Sequence, residues 1–278
     1  MKKHYGLIGY PLGHSLSPQI HKRLFELDGI EADYELIEIP PEELRANYDR
    51  LKALDGFNIT IPHKINILGM CNSLSETAQR YGSVNTIKME DGKAMGYNTD
   101  SYGLVRTVSK MEKHPTRHLC LLGCGGVGRM VAIEAACLLP RVTIAVREED
   151  IPAAQALKEH IDKELTKSTN CEVDVIRLSE VKGGYDFMIN ATPVGMYPKV
   201  DASPLEKEQL QGVENLFDAV YNPAETLLVR YARELGINAQ TGMSMLVLQA
   251  VAAHNAWSGA VYKEEDIQQL IRDMEALL

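Results

Sequence analysis

The chain has 278 residues, 45% hydrophobic and 24% charged, with 38 Asp and Glu against 29 Lys and Arg for a formal charge of −9. That length corresponds to about two domains. The composition excludes collagen-like, low-complexity and broadly disordered classes, and the acidic, interspersed charge argues against nucleic acid as a partner. The apolar run in residues 1–16 is broken by Gly6, Gly9, Pro11 and Gly13, so no signal peptide is read. The apolar stretch 245–253 is interrupted by Gln249 and is far shorter than the ~20 residues of a bilayer span. A soluble, cytoplasmic protein without a membrane partner is expected. The five cysteines include no Cys-x-x-Cys pair, which reads as buried free thiols in a reducing compartment, and no metal site is expected.

In chain order, a strand at 5–9 runs into a turn, and Ser17-Pro18 then opens a helix, with Ser17 as N-cap and Pro18 in the first turn. Ile20, Leu24 and Leu27 follow at helical spacing, and Gly29 ends the element. Ser15 and Ser17 therefore stand at a strand-to-helix junction, where hydroxyls and free helix N–H groups suit a carboxylate. A strand at 34–39 and a helix at 41–54 precede the alternating run 56–61, which Pro62 stops. Lys64 lies just beyond that strand end, where α/β sheets keep their ligands. The clusters 82–86 and 96–100 flank a hairpin turning at Asp91-Gly92. Asp100, ahead of an amphipathic run, reads by itself as a helix N-cap.

A strand at 119–122 then enters Gly123-Cys124-Gly125-Gly126-Val127-Gly128 and a helix, which is Gly-x-Gly-x-x-Gly in its strand-turn-helix setting. The first glycine permits the tight turn, the second lets backbone approach a pyrophosphate, and the third packs helix on strand. The next strand, 141–146, ends at Arg147-Glu148-Glu149, the position that reads the adenosine ribose. An arginine there favours a 2′-phosphate and an acid favours a free 2′-hydroxyl, so the residues leave NADP and NAD both open. An amphipathic helix at 151–165 follows, then a strand at 185–190 ending in a loop with Thr192. A strand ending in a turn is read at 218–223, and an apolar helix opening near Gly242 contains Gln249, which by itself reads as a core residue.

Eight ordered motifs make the pattern specific: HSLSP at 14–18, NITIPHK at 58–64, GSVNT at 82–86, GYNTD at 96–100, GCGGVG at 123–128, NATPVGM at 190–196, DAVYNP at 218–223 and MLVLQA at 245–250. With them the chain resembles the shikimate dehydrogenases over nearly its whole length. The resemblance implies a two-domain α/β protein. Residues 1–104 would form a substrate domain with a mixed sheet, 105–240 a Rossmann-type dinucleotide-binding domain, and 241–278 helices returning to the first. It implies reversible reduction of 3-dehydroshikimate to shikimate with NADPH, by a monomer or homodimer.

Carried over by motif, Lys64 and Asp100 would be the catalytic pair. Ser15 and Ser17 would hold the substrate carboxylate; Thr60 and Asn85 would hold ring oxygens, with Tyr221 and Gln249 closing the site. Gly123, Cys124, Gly125, Gly126, Val127 and Gly128 would cradle the pyrophosphate, Arg147 would meet the adenosine end, and Thr192, Ala219 and Gly242 would lie near the nicotinamide. The chain departs from the family pattern at Val146-Arg147-Glu148, where NADP-specific members commonly read Asn-Arg-Thr. Glu148 beside a 2′-phosphate is repulsive, which leaves room for NAD or dual use and for quinate as a substrate. Lys22 replaces a common asparagine, and His254 stands where phenylalanine is usual. A catalytically silent nucleotide or metabolite sensor is the rival reading from another class.

Overall fold

The computed structural model describes residues 2–13, 15–111, 114–164 and 170–278. The described strands are β1 (Lys3–Gly9), β2 (Ala32–Glu38), β3 (Gly56–Ile59), β4 (Ser73–Leu74), β5 (Thr86–Glu90), β6 (Lys93–Tyr97), β7 (His118–Leu122), β8 (Arg141–Val146), β9 (Glu172–Arg177), β10 (Phe187–Asn190), β11 (Asn215–Asp218) and β12 (Asn238–Thr241). The helices are α1 (Ser17–Asp28), α2 (Leu44–Leu51), α3 (Glu76–Tyr81), α4 (Asp100–Met111), α5 (Gly126–Leu138), α6 (Ile151–Glu164), α7 (Leu227–Glu234), α8 (Met243–Ser258) and α9 (Glu264–Glu275). The chain forms two compact units, one from residues up to 103 together with 246–277, the other from 104–245. The second crossing falls later than the expected 240/241, because β12 pairs with β11 and keeps the chain with the second sheet.

The first unit is built on a mixed sheet in the order β2-β1-β3-β5-β6-β4. β1 pairs in parallel with β2 and β3, β5 runs antiparallel to both β3 and β6, and β4 pairs in parallel with β6. The β5–β6 hairpin closes at Asp91 (φ 51°) and Gly92 (φ 73°). Two successive left-handed residues give the turn whose twist matches the strands, which is why Asp-Gly occurs there. Ile8, Ile37, Leu51, Phe57, Ile59 and Ile87 make one core of this unit. Tyr5, Phe25, Ala253 and Trp257 make another. Trp257 of α8 donates its indole N–H to the Ile87 carbonyl at 2.9 Å. A side chain at Gly56 would meet that indole nitrogen at 2.5 Å, so the close approach requires glycine there.

The second unit carries an all-parallel sheet in the order β12-β11-β10-β7-β8-β9. This is the doubly wound arrangement in which strand order reverses beside the first strand, here between β7 and β10, and ligands bind at that reversal. β10 and β11 are buried at every position, as strands covered on both faces must be. β8 occupies 141–146 as expected from the sequence.

Several local expectations change. The helix predicted at 41–54 is a 3-10 turn at Pro41–Glu43 followed by α2, which ends at Leu51. Ser17 is the first helical residue of α1 and Leu16 takes the cap position without a side-chain bond, so Ser17 does not cap. β11 ends at Asp218, so Ala219 to Pro223 form a loop beyond the strand. β9 had no counterpart in the sequence reading. His14 and Leu165, named in the predicted loop and helix, lie outside the described residues. Among the described residues, no helix is long and apolar enough to cross a membrane.

Candidate active site

In the first unit, Lys64 sits in the turn after β3 and Asp100 at the start of α4. Lys64 Nζ lies 2.7 Å from Asp100 Oδ2, with both side chains largely sheltered. Asp100 is the first residue of α4. Its other oxygen, Oδ1, accepts from Asn85 Nδ2 at 2.8 Å. Asn85 is itself fixed, since its Oδ1 accepts from the Thr99 backbone N–H at 2.7 Å, and its carbonyl accepts from the Ile59 N–H at 2.8 Å. Asn58 extends this polar chain, donating to Thr86 Oγ1 at 2.9 Å and accepting from Tyr34 Oη at 2.8 Å. A buried polar group costs free energy unless bonded, so a network satisfied at this many points holds one geometry. The Lys64 ammonium is thus aimed by a carboxylate that cannot swing away.

Thr60 is half-buried in the same turn, its N–H donating to the Ile8 carbonyl and its carbonyl accepting from the His63 N–H. Ser15 Oγ donates to Ser17 Oγ at 3.1 Å and accepts the Ser17 N–H at 3.2 Å, which brings the two hydroxyls together at the start of α1. Gln249 is half-buried on α8 and donates to its own helix at Leu246, so the core reading of this residue is replaced by a partly exposed amide.

In the second unit, Gly123 adopts φ 90° at the end of β7, a left-handed conformation that glycine alone takes freely. A methyl group on Gly128 would lie 2.3 Å from the Gly123 carbonyl oxygen. Gly125 and Gly126 are exposed, and a methyl on either would touch nothing within 4 Å. Gly125 caps α5 without any side-chain bond, leaving the first N–H groups of a 13-residue helix open to an anion. These residues fit a dinucleotide pyrophosphate. Val127 is half-buried in the first turn, and burial raises the Cys124 thiol, which favours its neutral form.

The loop after β10 meets this turn. Asn190 Oδ1 accepts from the Thr192 N–H at 3.0 Å and from its hydroxyl at 2.7 Å. Asn190 Nδ2 donates to Asp218 Oδ1 at 2.8 Å. Asp218 also accepts from the Val220 N–H at 3.0 Å and, through Oδ2, from Thr226 Oγ1 at 2.7 Å. Burial pushes its carboxyl up to about 6 against those hydrogen bonds. Asn190, Asp218 and Thr226 therefore set the loops that carry Thr192 and Ala219, a role the sequence reading missed although two of the three lie inside quoted motifs. The Ala219 carbonyl would lie 2.2 Å from a methyl on Gly242, so only glycine fits there. Tyr221 follows in the same loop, half-buried, with its phenol raised by burial.

Beyond β8 the chain enters the acidic turn that follows Arg147. Arg147 is exposed and engaged by Glu149 at 3.0 Å and Asp150 at 2.8 Å. Glu148 is paired with Arg177 at the end of β9, a residue the sequence reading did not single out. An apolar hollow in this unit, lined by Leu104, Val108, Leu119, Val131, Leu138 and Ile189, contains none of the expected site residues. Cys120 and Cys171 are buried, whereas Cys71, Cys124 and Cys137 are only half-buried; all five are free thiols. His114 and His118 stand four residues apart, a spacing seen in metal sites, yet among the described residues no three His, Cys, Asp or Glu gather to hold a metal.

Comparison with known proteins points to the shikimate dehydrogenases. A family model described as the shikimate dehydrogenase substrate binding domain matches residues 7–87. A shikimate dehydrogenase (NADP(+)) of Methanocaldococcus jannaschii is 37% identical over 272 residues, covering 96% of this chain and 95% of its own. The shikimate 5-dehydrogenase of Thermus thermophilus, solved in complex with NADP(H) and shikimate, superimposes with a TM-score of 0.84 at 31% identity, covering 98% of this chain and 99% of its own. That of Listeria monocytogenes, solved with shikimate and NAD, gives 0.84 at 27% identity over 97% and 96%. With identity of this order spread over almost the full length of both chains, this chain belongs to the shikimate dehydrogenase family.

Proposed function

We propose that this chain catalyses the reversible, NADPH-dependent reduction of 3-dehydroshikimate to shikimate. The observation that carries the reading is the Lys64–Asp100 pair, 2.7 Å apart and locked by Asn85. Gly123 to Gly128 would hold the dinucleotide, which when bound would supply hydride for the carbonyl carbon or accept it in the reverse direction. Addition of hydride to a carbonyl carbon leaves negative charge on its oxygen, and that oxygen needs both a proton and a stabilising cation. Lys64 provides both: its ammonium hydrogen-bonds the oxygen, transfers one proton to give the hydroxyl, and regains a proton from solvent. In the oxidation direction the neutral amine accepts the hydroxyl proton. Asp100 orients the lysine and balances its charge, and Asn85 holds Asp100.

Ser15 and Ser17 offer hydroxyls to the substrate carboxylate at the start of α1, where the helix end also favours an anion. Thr60 and Asn85 take ring hydroxyls, and Gln249 and Tyr221 complete the substrate contacts. Thr192, Ala219 and Gly242 shape the backbone near the nicotinamide, and Arg147 meets the adenosine end. NAD as a second cofactor is favoured by the acidic turn Glu148-Glu149-Asp150, which tolerates a free 2′-hydroxyl better than a phosphate. The test is initial-rate measurement with shikimate and with quinate, each against NADP+ and NAD+. Turnover of shikimate with NADP+ is expected. No turnover with either cofactor would refute the reading and favour the sensor alternative.

A further inference from the structure

We infer that Arg177, from the strand beside the one bearing Arg147, decides whether this chain accepts a 2′-phosphorylated dinucleotide. The inference rests on the cofactor reading above and concerns residues of the second unit alone. β8 and β9 run parallel with Val146 opposite Arg177, so the residue after β8 and the last residue of β9 emerge at the same sheet end. Glu148 bridges them in space, adjacent to Arg147 in sequence and gripped by Arg177. One contact joins Nε to Oε2, and Nη2 donates to Oε1 at 3.2 Å. The two parallel donors match the two carboxylate oxygens, a pairing that fixes orientation as well as charge.

The charge balance there makes the grip consequential. Among the described residues, Glu148, Glu149, Asp150 and Glu180 pair with two guanidiniums, Arg147 and Arg177. A 2′-phosphate brings a further ~1.5 to 2 negative charges. A free Glu148 would point an uncompensated carboxylate into that space. With Arg177 holding it through Nε and Nη2, and Glu180 on Nη1, the glutamate is neutralised and its carboxylate is kept from turning toward a phosphate beside Arg147. A free ribose 2′-hydroxyl carries no charge and meets no such repulsion. Arg177 therefore acts on the phosphorylated cofactor selectively, as a specificity residue placed one strand away from the usual ribose-reading turn.

The test is direct binding, measured calorimetrically with NADP+ and with NAD+ on the native chain, Arg177→Gln, and Arg177→Gln combined with Glu148→Gln. Arg177 is exposed, so folding should survive, and a thermal melt of each variant checks this. Arg177→Gln is expected to weaken NADP+ by about 10-fold while NAD+ changes within about twofold, and removing Glu148 as well should restore much of the NADP+ affinity. Equal losses for both nucleotides, no loss for either, or no rescue in the double variant would overturn the inference while leaving the cofactor reading intact. Failure of the native chain to bind either nucleotide would overturn both.

Discussion

Replacing His254 should remove a specific part of the chain's acid sensitivity. His254 is 1% exposed, its Nε2 3.1 Å from His21 Nδ1 and its Nδ1 within 2.8 Å of Tyr262 Oη and 3.2 Å of Asp28 Oδ2. His21, fully buried, stacks on Tyr34 with ring centroids 4.1 Å apart, and its Nε2 has no partner. Only one proton assignment leaves no N–H orphaned. His254 donates from Nδ1 to Asp28, His21 donates from Nδ1 to His254 Nε2, and the unpartnered His21 Nε2 carries a lone pair. A proton added to His254 Nε2 would then face the His21 N–H. Burial, opposed by Asp28, lowers His254 to about 4, and burial together with His254 lowers His21.

In the unfolded chain both rings titrate near 6.5. Between pH 6.5 and about 4 the unfolded state therefore binds more protons than the folded one. The stability is fully present above 6.5 and is lost as pH falls through that window. For His254 alone the loss between pH 7 and pH 5 is about 2 kcal/mol. The single tryptophan, Trp257, lies with its ring centroid 5.4 Å from that of His254, so urea unfolding followed by its fluorescence reports this unit. Native protein and His254→Phe would be compared at pH 7 and pH 5. Baseline stability falls in the variant, because His21 loses an acceptor; the pH-dependent loss should shrink by about 2 kcal/mol. An undiminished loss in the variant would refute the argument, since the carboxylates common to both proteins cancel in the comparison.

Gly128→Ala should weaken NADP+ binding by at least about 10-fold, because the methyl collides with the Gly123 carbonyl and shifts the loop; calorimetric titration measures it, and unchanged affinity would contradict the cradle. Asp218, raised to about 6 by burial, carries the opposite sign from His254. The folded state holds its proton longer, so stability falls as pH rises from about 4 through about 6, by about 3 kcal/mol at most. Asp218→Asn should flatten that portion of the stability profile in urea titrations, and an unaltered profile would show that the carboxylate is not held as described.

Much of this architecture is written in local residue chemistry. Gly-x-Gly-x-x-Gly after an apolar run located the β7 turn and α5, and Asp91-Gly92 located a hairpin. The run Val142-Thr143-Ile144-Ala145-Val146 after Arg141 located β8, because a strand covered on both faces has no reason to alternate. β9 was missed because Glu-Val-Asp-Val-Ile-Arg reads as a short charged alternation, which an edge strand can afford and a loop also shows. Losing β9 also hid Arg177, whose importance comes from its register beside Val146. The other misses are contacts made across long sequence separations. Nothing near His21 in the sequence signals a partner 233 positions away, and the bond from Asn190 to Asp218 depends on β10 pairing with β11. Lys64 and Asp100 were legible only through the ordered motifs around them, since a lysine after a strand and an aspartate before a helix each have a commonplace explanation.

The central claim, that Lys64 carries the proton in shikimate oxidation, is tested most directly by steady-state rates of the Lys64→Ala variant with shikimate and NADP+. A kcat lower by about 10²- to 10⁴-fold is expected, with the KM for shikimate and the NADP+ affinity each within a few-fold of native. A variant that keeps near-native kcat, or loses activity only through a raised KM, would contradict it.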